Sequence, residues 1–473
     1  MPTFDYESHD ATSLAELVRT KEVSPEELLD AAVDRVEQQN PQINAVVYPF
    51  YEGARQAIAD GLPDGPFRGV PFLLKDFGTP YAGLQMSSGS GLFAEYIPDH
   101  NSALVDRYRA AGLVIFGRST SPEFGLTTTT ESRVHGQTHN PWNLAHTAGG
   151  SSGGAGAAVA AGILPMANAS DGGGSIRVPA SCCGLFGLKP TRARTPAGPD
   201  AGEGWGGMST VHAITRSVRD SAALLDATAG PDIGAPYWAE RPPRPFASEV
   251  GTPPGQLRIA FQTQTFNGAE TDPACIAAVE AVAHLCADLG HEVEEANLQV
   301  DREELGRATP VIVAANTRAL VEDRAAQLGR AFTEADLETA TYVMVTREDA
   351  GAAAYARATR AVHAAGRRVA TFLEDYDCLL TPTMAVPPLE LGRLSLDNPD
   401  QEAYTTDLLR TIGYTSLFNA SGNPAVSVPL IWNDAGLPIG TQFVGRYGDE
   451  ATLLRLAGQL EEAQPWAGRR PPR

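Results

Sequence analysis

Between Ala148 and Pro190 the chain places two glycine- and serine-rich loops around one stretch of small apolar residues. The first reads Ala148-Gly149-Gly150-Ser151-Ser152-Gly153-Gly154, and the second Asp171-Gly172-Gly173-Gly174-Ser175-Ile176-Arg177. Loops of this composition leave backbone N–H groups unshielded by Cβ atoms, which suits an anion or a developing oxyanion. The serine hydroxyls in the same loops become nucleophiles once a base takes their proton. A glycine/serine run is commonly a flexible linker, but a linker does not feed at once into an apolar helix and an apolar strand.

The base can be sought among the lysines. Of 36 basic residues only three are lysine, namely Lys21, Lys75 and Lys189, so arginine meets nearly every need for positive charge. What lysine offers and arginine does not is the loss of its proton when desolvated. Lys21 sits among polar residues and reads as a solvated charge. Lys75 follows Val70-Pro71-Phe72-Leu73-Leu74 and Lys189 follows Leu185-Phe186-Gly187-Leu188, both apolar strand-like runs. On spacing alone each is equally well a lysine snorkelling from a strand end.

Three chemistries compete for the loops. A phosphate loop is disfavoured because no G-x-x-x-x-G-K-[ST] occurs. An α/β-hydrolase esterase would use Ser151 in Gly149-Gly150-Ser151-Ser152-Gly153, with His212, His284, His291 or His363 as base. That pattern is weak where four of five residues are Gly or Ser, and no later acid and histidine fall convincingly into place. The third reading takes Ser175 as nucleophile, the amides of Gly172, Gly173 and Gly174 as oxyanion donors and a lysine as base. It accounts for both loops and for Lys75 together.

The elements that must hold these residues alternate in the βαβ manner. Ser13-x-x-Glu16 and Ser24-Pro25-Glu26-Glu27 predict two capped helices at the start. Gly69 to Leu74 and Leu113 to Gly117 predict buried strands flanking a helix from Ser102 to Ala111. Ala155 to Ala169, broken by Gly162 and Pro165, is too short to cross a bilayer and predicts a buried helix plus a strand. A Pro-, Gly- and charge-rich stretch over 231–254 is a connection or a weak boundary. A helical region over 301–374 returns to a strand at Tyr376 to Pro382. The expected class is α/β, with helices on both faces of a sheet.

Composition narrows the partners. Length 473 and 43% apolar residues allow one large unit or several domains. A net charge of −21 opposes binding to nucleic acid and to anionic membranes. Met1 to Asp10 lacks the basic and apolar regions of a signal peptide and reads as a solvated lead-in, so the expected compartment is the cytoplasm. Five cysteines, Cys182, Cys183, Cys275, Cys286 and Cys378, form no metal-ligand spacing and read as reduced and structural, with no metal site expected.

The motifs carry a resemblance. The two loops, Pro179-Ala180, Cys183-Gly184 and Gly187-Leu188-Lys189-Pro190-Thr191 are similar to the defining stretch of the amidase-signature family. Outlying matches are Gly69-Val70-Pro71, Lys75-Asp76, Asn140-Pro141-Trp142, Arg216 to Asp220, Asn419-x-x-Gly422-x-Pro424-Ala425 and Gly436 to Gly440. In length, signature and ending the chain looks most like the family's 6-aminohexanoate-cyclic-dimer hydrolase and aryl acylamidase branches.

The resemblance implies a single domain over 1–473 with a mixed twisted sheet, a signature core at 149–191 and a variable substrate-pocket region at 231–410. It also implies a cis peptide bond at Gly150–Ser151 and a triad of Ser175 as nucleophile, Ser151 as proton bridge and Lys75 as base, without a cofactor. Asp171 and Arg177 support the loop, and Lys189 reads as structural. Ala169-Ser170, the third glycine at Gly172 and Arg192-Ala193-Arg194 depart from the usual pattern. The expected reaction is hydrolysis of a small, neutral, linear or cyclic acyl or aryl amide to a carboxylate plus an amine or ammonia, through an acyl-enzyme on Ser175. A homodimer is compatible with it. The other expectations are the Ser151 esterase and an amidase-like subunit of a transamidating complex.

Overall fold

Side-chain caps fix where the first helices begin. In the computed structural model, which describes residues 5–348 and 350–472, α1 (Ala11–Arg19) is capped by Asp10. Its carboxylate accepts from Ser13 N at 3.0 Å, so Ser13 is a first-turn donor rather than the cap its spacing predicts. α2 (Pro25–Ile43) starts at the expected capping box of Ser24 and Glu27. The lead-in is not simply solvated: Tyr6 is buried against the core, while Met1 to Phe4 lie outside the described residues.

β1 (Val46–Val47), α3 (Tyr51–Ala59), β2 (Pro71–Lys75), α4 (Ala103–Ala110) and β3 (Val114–Ser119) follow. The three strands make a small sheet in the order β1-β3-β2, with β2 and β3 parallel. Both β2 and β3 are buried along their whole length, which is why they read as unbroken apolar runs rather than alternating ones. Two short hairpins, β4 (Glu131–Ser132) with β5 (Gly136–Gln137) and β6 (His139–Asn140) with β7 (Asn143–Thr147), lead into α5 (Gly153–Ala160).

The main sheet begins with β8 (Met166–Asp171), which α6 (Arg177–Cys183) joins to β9 (Phe186–Lys189) and then β10 (Thr210–Thr215) and α7 (Val218–Thr228). β11 (Arg258–Phe261), α8 (Pro273–Asp288) and β12 (Glu292–Glu295) extend it. A helical insert of α9 (Arg302–Gln327), α10 (Thr339–Thr346) and α11 (Ala352–Phe372) precedes β13 (Cys378–Pro382). The chain ends through α12 (Gln401–Thr411), α13 (Ser416–Ser421), β14 (Ala425–Trp432), β15 (Pro438–Gly445) and α14 (Glu450–Ala463). The eight strands run β12-β11-β13-β15-β14-β9-β10-β8, parallel across β12, β11 and β13 and antiparallel elsewhere.

Period-two alternation sends successive side chains of these strands to opposite cores. Cys378, Leu380, Val426 and Phe443 pack with α7, α8 and α14 on one face. Leu379, Ala425 and Val444 pack with α11 and α13 on the other. The fold is therefore a single α/β domain with a mixed sheet between helices. The 231–254 stretch is a connection within it, since Phe246 is buried in the same core as β14. All five cysteines are free and buried. Among the described residues no helix is long and apolar enough to cross a membrane.

Candidate active site

Lys75 is the last residue of β2, carried on the small sheet rather than the large one. Its backbone N–H donates to Asn168 Oδ1 of β8 at 3.1 Å, which ties the two sheets together at this point. The side chain is fully buried. Its Nζ lies 2.6 Å from Ser151 Oγ and 2.9 Å from Ser170 Oγ, and 5.9 Å from the centre of the Phe77 ring. Burial penalises the ammonium and pulls the amine down from 10.5 to about 7, against the opposing attraction of Asp171. A neutral lysine beside a serine hydroxyl can take a proton, whereas a snorkelling lysine would reach water.

Ser151 is presented just ahead of α5, and the Gly150–Ser151 peptide bond is cis. The loop is pressed against its neighbours: a Cβ on Gly150 would stand 2.1 Å from Thr129 O, so only glycine fits. Ser175 sits in the turn between β8 and α6, almost buried at 8% exposure. Gly174 before it has φ of 138°, a conformation that L side chains rarely adopt.

A buried ion pair holds this turn. Arg177 donates to Asp171 through Nε at 2.9 Å and Nη2 at 2.8 Å, the bidentate geometry that arginine favours. Its remaining donors reach Asn419 Oδ1, Gln442 Oε1 and Thr415 O. Burial alone would raise the Asp171 carboxyl. Arg177, Lys189 and Asn419 overcome that and hold it well below the usual carboxylate range. The same carboxylate accepts from Gly174 N at 2.8 Å and Ile176 N at 3.2 Å. That corrects the expectation for Gly174: its N–H serves the Asp171 turn and is not free for an oxyanion. The N–H groups of Gly172, Gly173 and Ser175 have no protein acceptor among the described residues.

Ser151, Ser170, Gly172 and Ser175 share one cavity of about 870 Å³. Its walls come mainly from residues 77–104 and 192–211, including Phe77, Met86, Phe93, Tyr96 and Trp205. The 231–410 segment, expected to shape the pocket, supplies Pro231, Asp232, Ala235 and Tyr237 and, from α9, Leu320, Asp323, Arg324 and Gln327. Its helices α9 and α10 also back the wall residues Phe77, Phe93 and Tyr96, and α9 and α11 back Trp205.

Among the described residues no histidine, His363 included, is hydrogen-bonded to Ser151, whose hydroxyl meets Lys75 Nζ. His212 pairs with Ser221, His291 with Gln459, and His284 with the carbonyl of Glu280. His135, near the signature, binds Asp76 and Ser87. Lys189 is buried too, and burial pulls its amine down to about 7, but its Nζ donates to the carbonyl of neighbouring Pro190 at 2.8 Å. Sequence reasoning missed Ser170 as a second partner of Lys75 and Asn419 as a clamp on the Asp171 turn. Asn419 stands in the Asn419-x-x-Gly422-x-Pro424-Ala425 match, whereas Ser170 is visible in the sequence only as a departure from the family pattern.

The amidase family profile matches residues 27–454. The chain is 40% identical over 476 residues to a 6-aminohexanoate-cyclic-dimer hydrolase of Paenarthrobacter ureafaciens, covering 98% of this chain and 96% of that one. A solved structure of 6-aminohexanoate cyclic dimer hydrolase superposes with a TM-score of 0.93 at 39% identity over 99% of both chains. A bacterial aryl acylamidase of the amidase-signature enzymes superposes with a TM-score of 0.89 at 28% identity, over 98% of this chain and 99% of that one.

Proposed function

This chain belongs to the amidase-signature family and is an amide hydrolase that releases an acid and an amine, and from that premise we propose that Ser175 is its nucleophile, Ser151 its proton bridge and Lys75 its base. The observation that carries the assignment is the buried Lys75 amine 2.6 Å from Ser151 Oγ, in a cavity that Ser151 and Ser175 both line. In the neutral amine the nitrogen lone pair accepts from the Ser151 hydroxyl, which in turn accepts from Ser175. Ser175 Oγ then attacks the amide carbon. The oxyanion is met by the free N–H groups of Gly172, Gly173 and Ser175, fixed in place before the reaction. Ser151 returns the proton to the leaving nitrogen, and water hydrolyses the acyl-enzyme by the same relay. Asp171 and Arg177 keep the turn in shape and do not react.

The substrate in this reading is a small neutral amide, linear or cyclic, with an apolar acyl or aryl part. A cavity of about 870 Å³ suits a ligand of that size, and its aromatic lining suits methylene or aryl surface. The relative named for a cyclic aminohexanoate dimer makes a medium-ring or larger cyclic diamide the first compound to try. Labelling with an alkyl fluorophosphonate, followed by peptide mapping, tests the nucleophile. Label on Ser175 is the expected result, and label on Ser151 with Ser175 untouched would restore the esterase assignment.

A further inference from the structure

Trp205 occupies the place that a side chain on residue 172 would take. A Cβ on Gly172 would stand 2.7 Å from Cε3 and 2.8 Å from Cζ3 of the indole, well inside the roughly 3.5–4.0 Å of a carbon–carbon contact. Gly172 is not among the glycines with positive φ, so its backbone would accept an L residue and the ring alone excludes one. This gives the third consecutive glycine of the nucleophile loop a purpose: it lets an aromatic plate lie on the loop beside Ser175.

The plate is held from behind. Trp205 has φ of 50° and is followed by Gly206 at 61° and Gly207 at 81°, in a turn closed by Gly207 N and Ser209 N on Gly204 O, both at 3.1 Å. Met208 O accepts from Asn419 Nδ2, the same nitrogen that binds the Asp171 carboxylate. The indole also packs against a cluster containing Met208, Ile312 of α9 and Ala358 and Val362 of α11. One edge therefore rests on the helical insert and another on the loop that carries Ser175.

Resting on the assignment of Ser175 as nucleophile, we infer that Trp205 determines specificity by setting the width of the cavity next to the scissile carbonyl. It admits acyl chains unbranched at the carbon beside the carbonyl, including the methylene arms of a cyclic amide, and turns away branched ones. The helical insert, most of which does not line the cavity, acts on specificity by holding this ring.

The experiment compares anilides of a straight and an α-branched acyl group on the wild type, Trp205→Ala, Trp205→Phe, Gly172→Ala and the Gly172→Ala/Trp205→Ala pair. The readout is the ratio of kcat/KM for the two substrates, which a loss of folded enzyme does not move. Trp205→Ala is expected to shift the ratio at least about tenfold toward the branched substrate, the scale of a pocket contact of one or two carbons. Trp205→Phe, which lacks Cε3 and Cζ3 but keeps an aromatic ring in the cluster, shifts it the same way.

Gly172→Ala alone is expected to lose activity on both substrates by about tenfold or more, and adding Trp205→Ala restores it to within about threefold of Trp205→Ala. An unmoved ratio in both Trp205 variants, or no rescue in the pair, overturns the inference. Fluorophosphonate mapping of the wild type is read separately. If the label is not on Ser175, the nucleophile assignment fails; if it is on Ser175 and the ratio stays put, only the role of Trp205 fails.

Discussion

If Lys75 accepts the proton, kcat/KM must follow the neutral fraction of a buried amine. A lysine left at 10.5 is neutral in only about one molecule in three thousand at pH 7, whereas one held at about 7 is neutral in about half. Burial thus raises the competent fraction by roughly a thousandfold. The sign is fixed by the chemistry, because protonation removes the base: kcat/KM falls about tenfold per pH unit below the midpoint and levels off above pH ~8.

The assay is release of 4-nitroaniline from a short acyl anilide between pH 5 and 10 at constant ionic strength. Lys75→Arg keeps charge and reach but not the ability to lose a proton, so it is expected to be as inactive at pH 7 as Lys75→Ala. Lys75→Ala regains rate as hydroxide becomes available at high pH. A rising limb centred near pH 10, or an arginine variant retaining more than about a tenth of the activity, would refute Lys75 as the base and leave it a structural cation.

Ser175→Ala is expected to abolish turnover and phosphonate labelling together, while Ser151→Ala keeps a weak rate through water between Lys75 and Ser175; equal retention of activity in both would contradict the relay. Ser170→Ala removes one of two hydroxyls on the Lys75 amine and should lower kcat about two- to tenfold, the worth of one such hydrogen bond, without loss of labelling. Asp171→Asn leaves the buried Arg177 without its counter-charge and should cost about 3–5 kcal/mol in urea unfolding. Glu338, where burial raises the carboxyl from 4.5 to about 8, favours folding below pH 4.5 and loses that contribution as pH rises through 8. Glu338→Gln should accordingly flatten the fall in Tm between pH 5 and 8.5, and an unchanged slope would show that the carboxyl ionises without cost.

Local chemistry was legible in the chain itself. The glycine and serine loops, the scarcity of lysine, the capping box at Ser24 and the buried runs before Lys75 and Lys189 are short-range patterns, and each states a backbone or burial requirement that neighbouring residues satisfy. They were enough to single out the Ser151 and Ser175 loops, two candidate lysines and an α/β fold, while the resemblance to the amidase-signature family implied Ser151 as bridge and Lys75 as base. What they could not decide is anything set by segments distant in sequence. Lys75 and Lys189 read alike as lysines after apolar strands, and only the approach of β8 and the Ser151 loop gave one of them hydroxyl partners while the other found a carbonyl.

Asp10 displaced Ser13 as a cap because its carboxylate sits at the residue before the helix, where it also binds Arg219 from α7. The Gly174 N–H was taken by Asp171 once Arg177 and Asn419 had fixed that carboxylate in place. Which segments line the cavity is likewise decided by long-range packing: loops within 77–104 and 192–211 supply most of the wall, while the 231–410 region lines it through Pro231, Asp232, Ala235, Tyr237 and α9 and backs it through α9, α10 and α11. Sequence specified which groups could react; the long-range packing of two sheets and an insert decided which of them meet, which are dry, and which donors remain free.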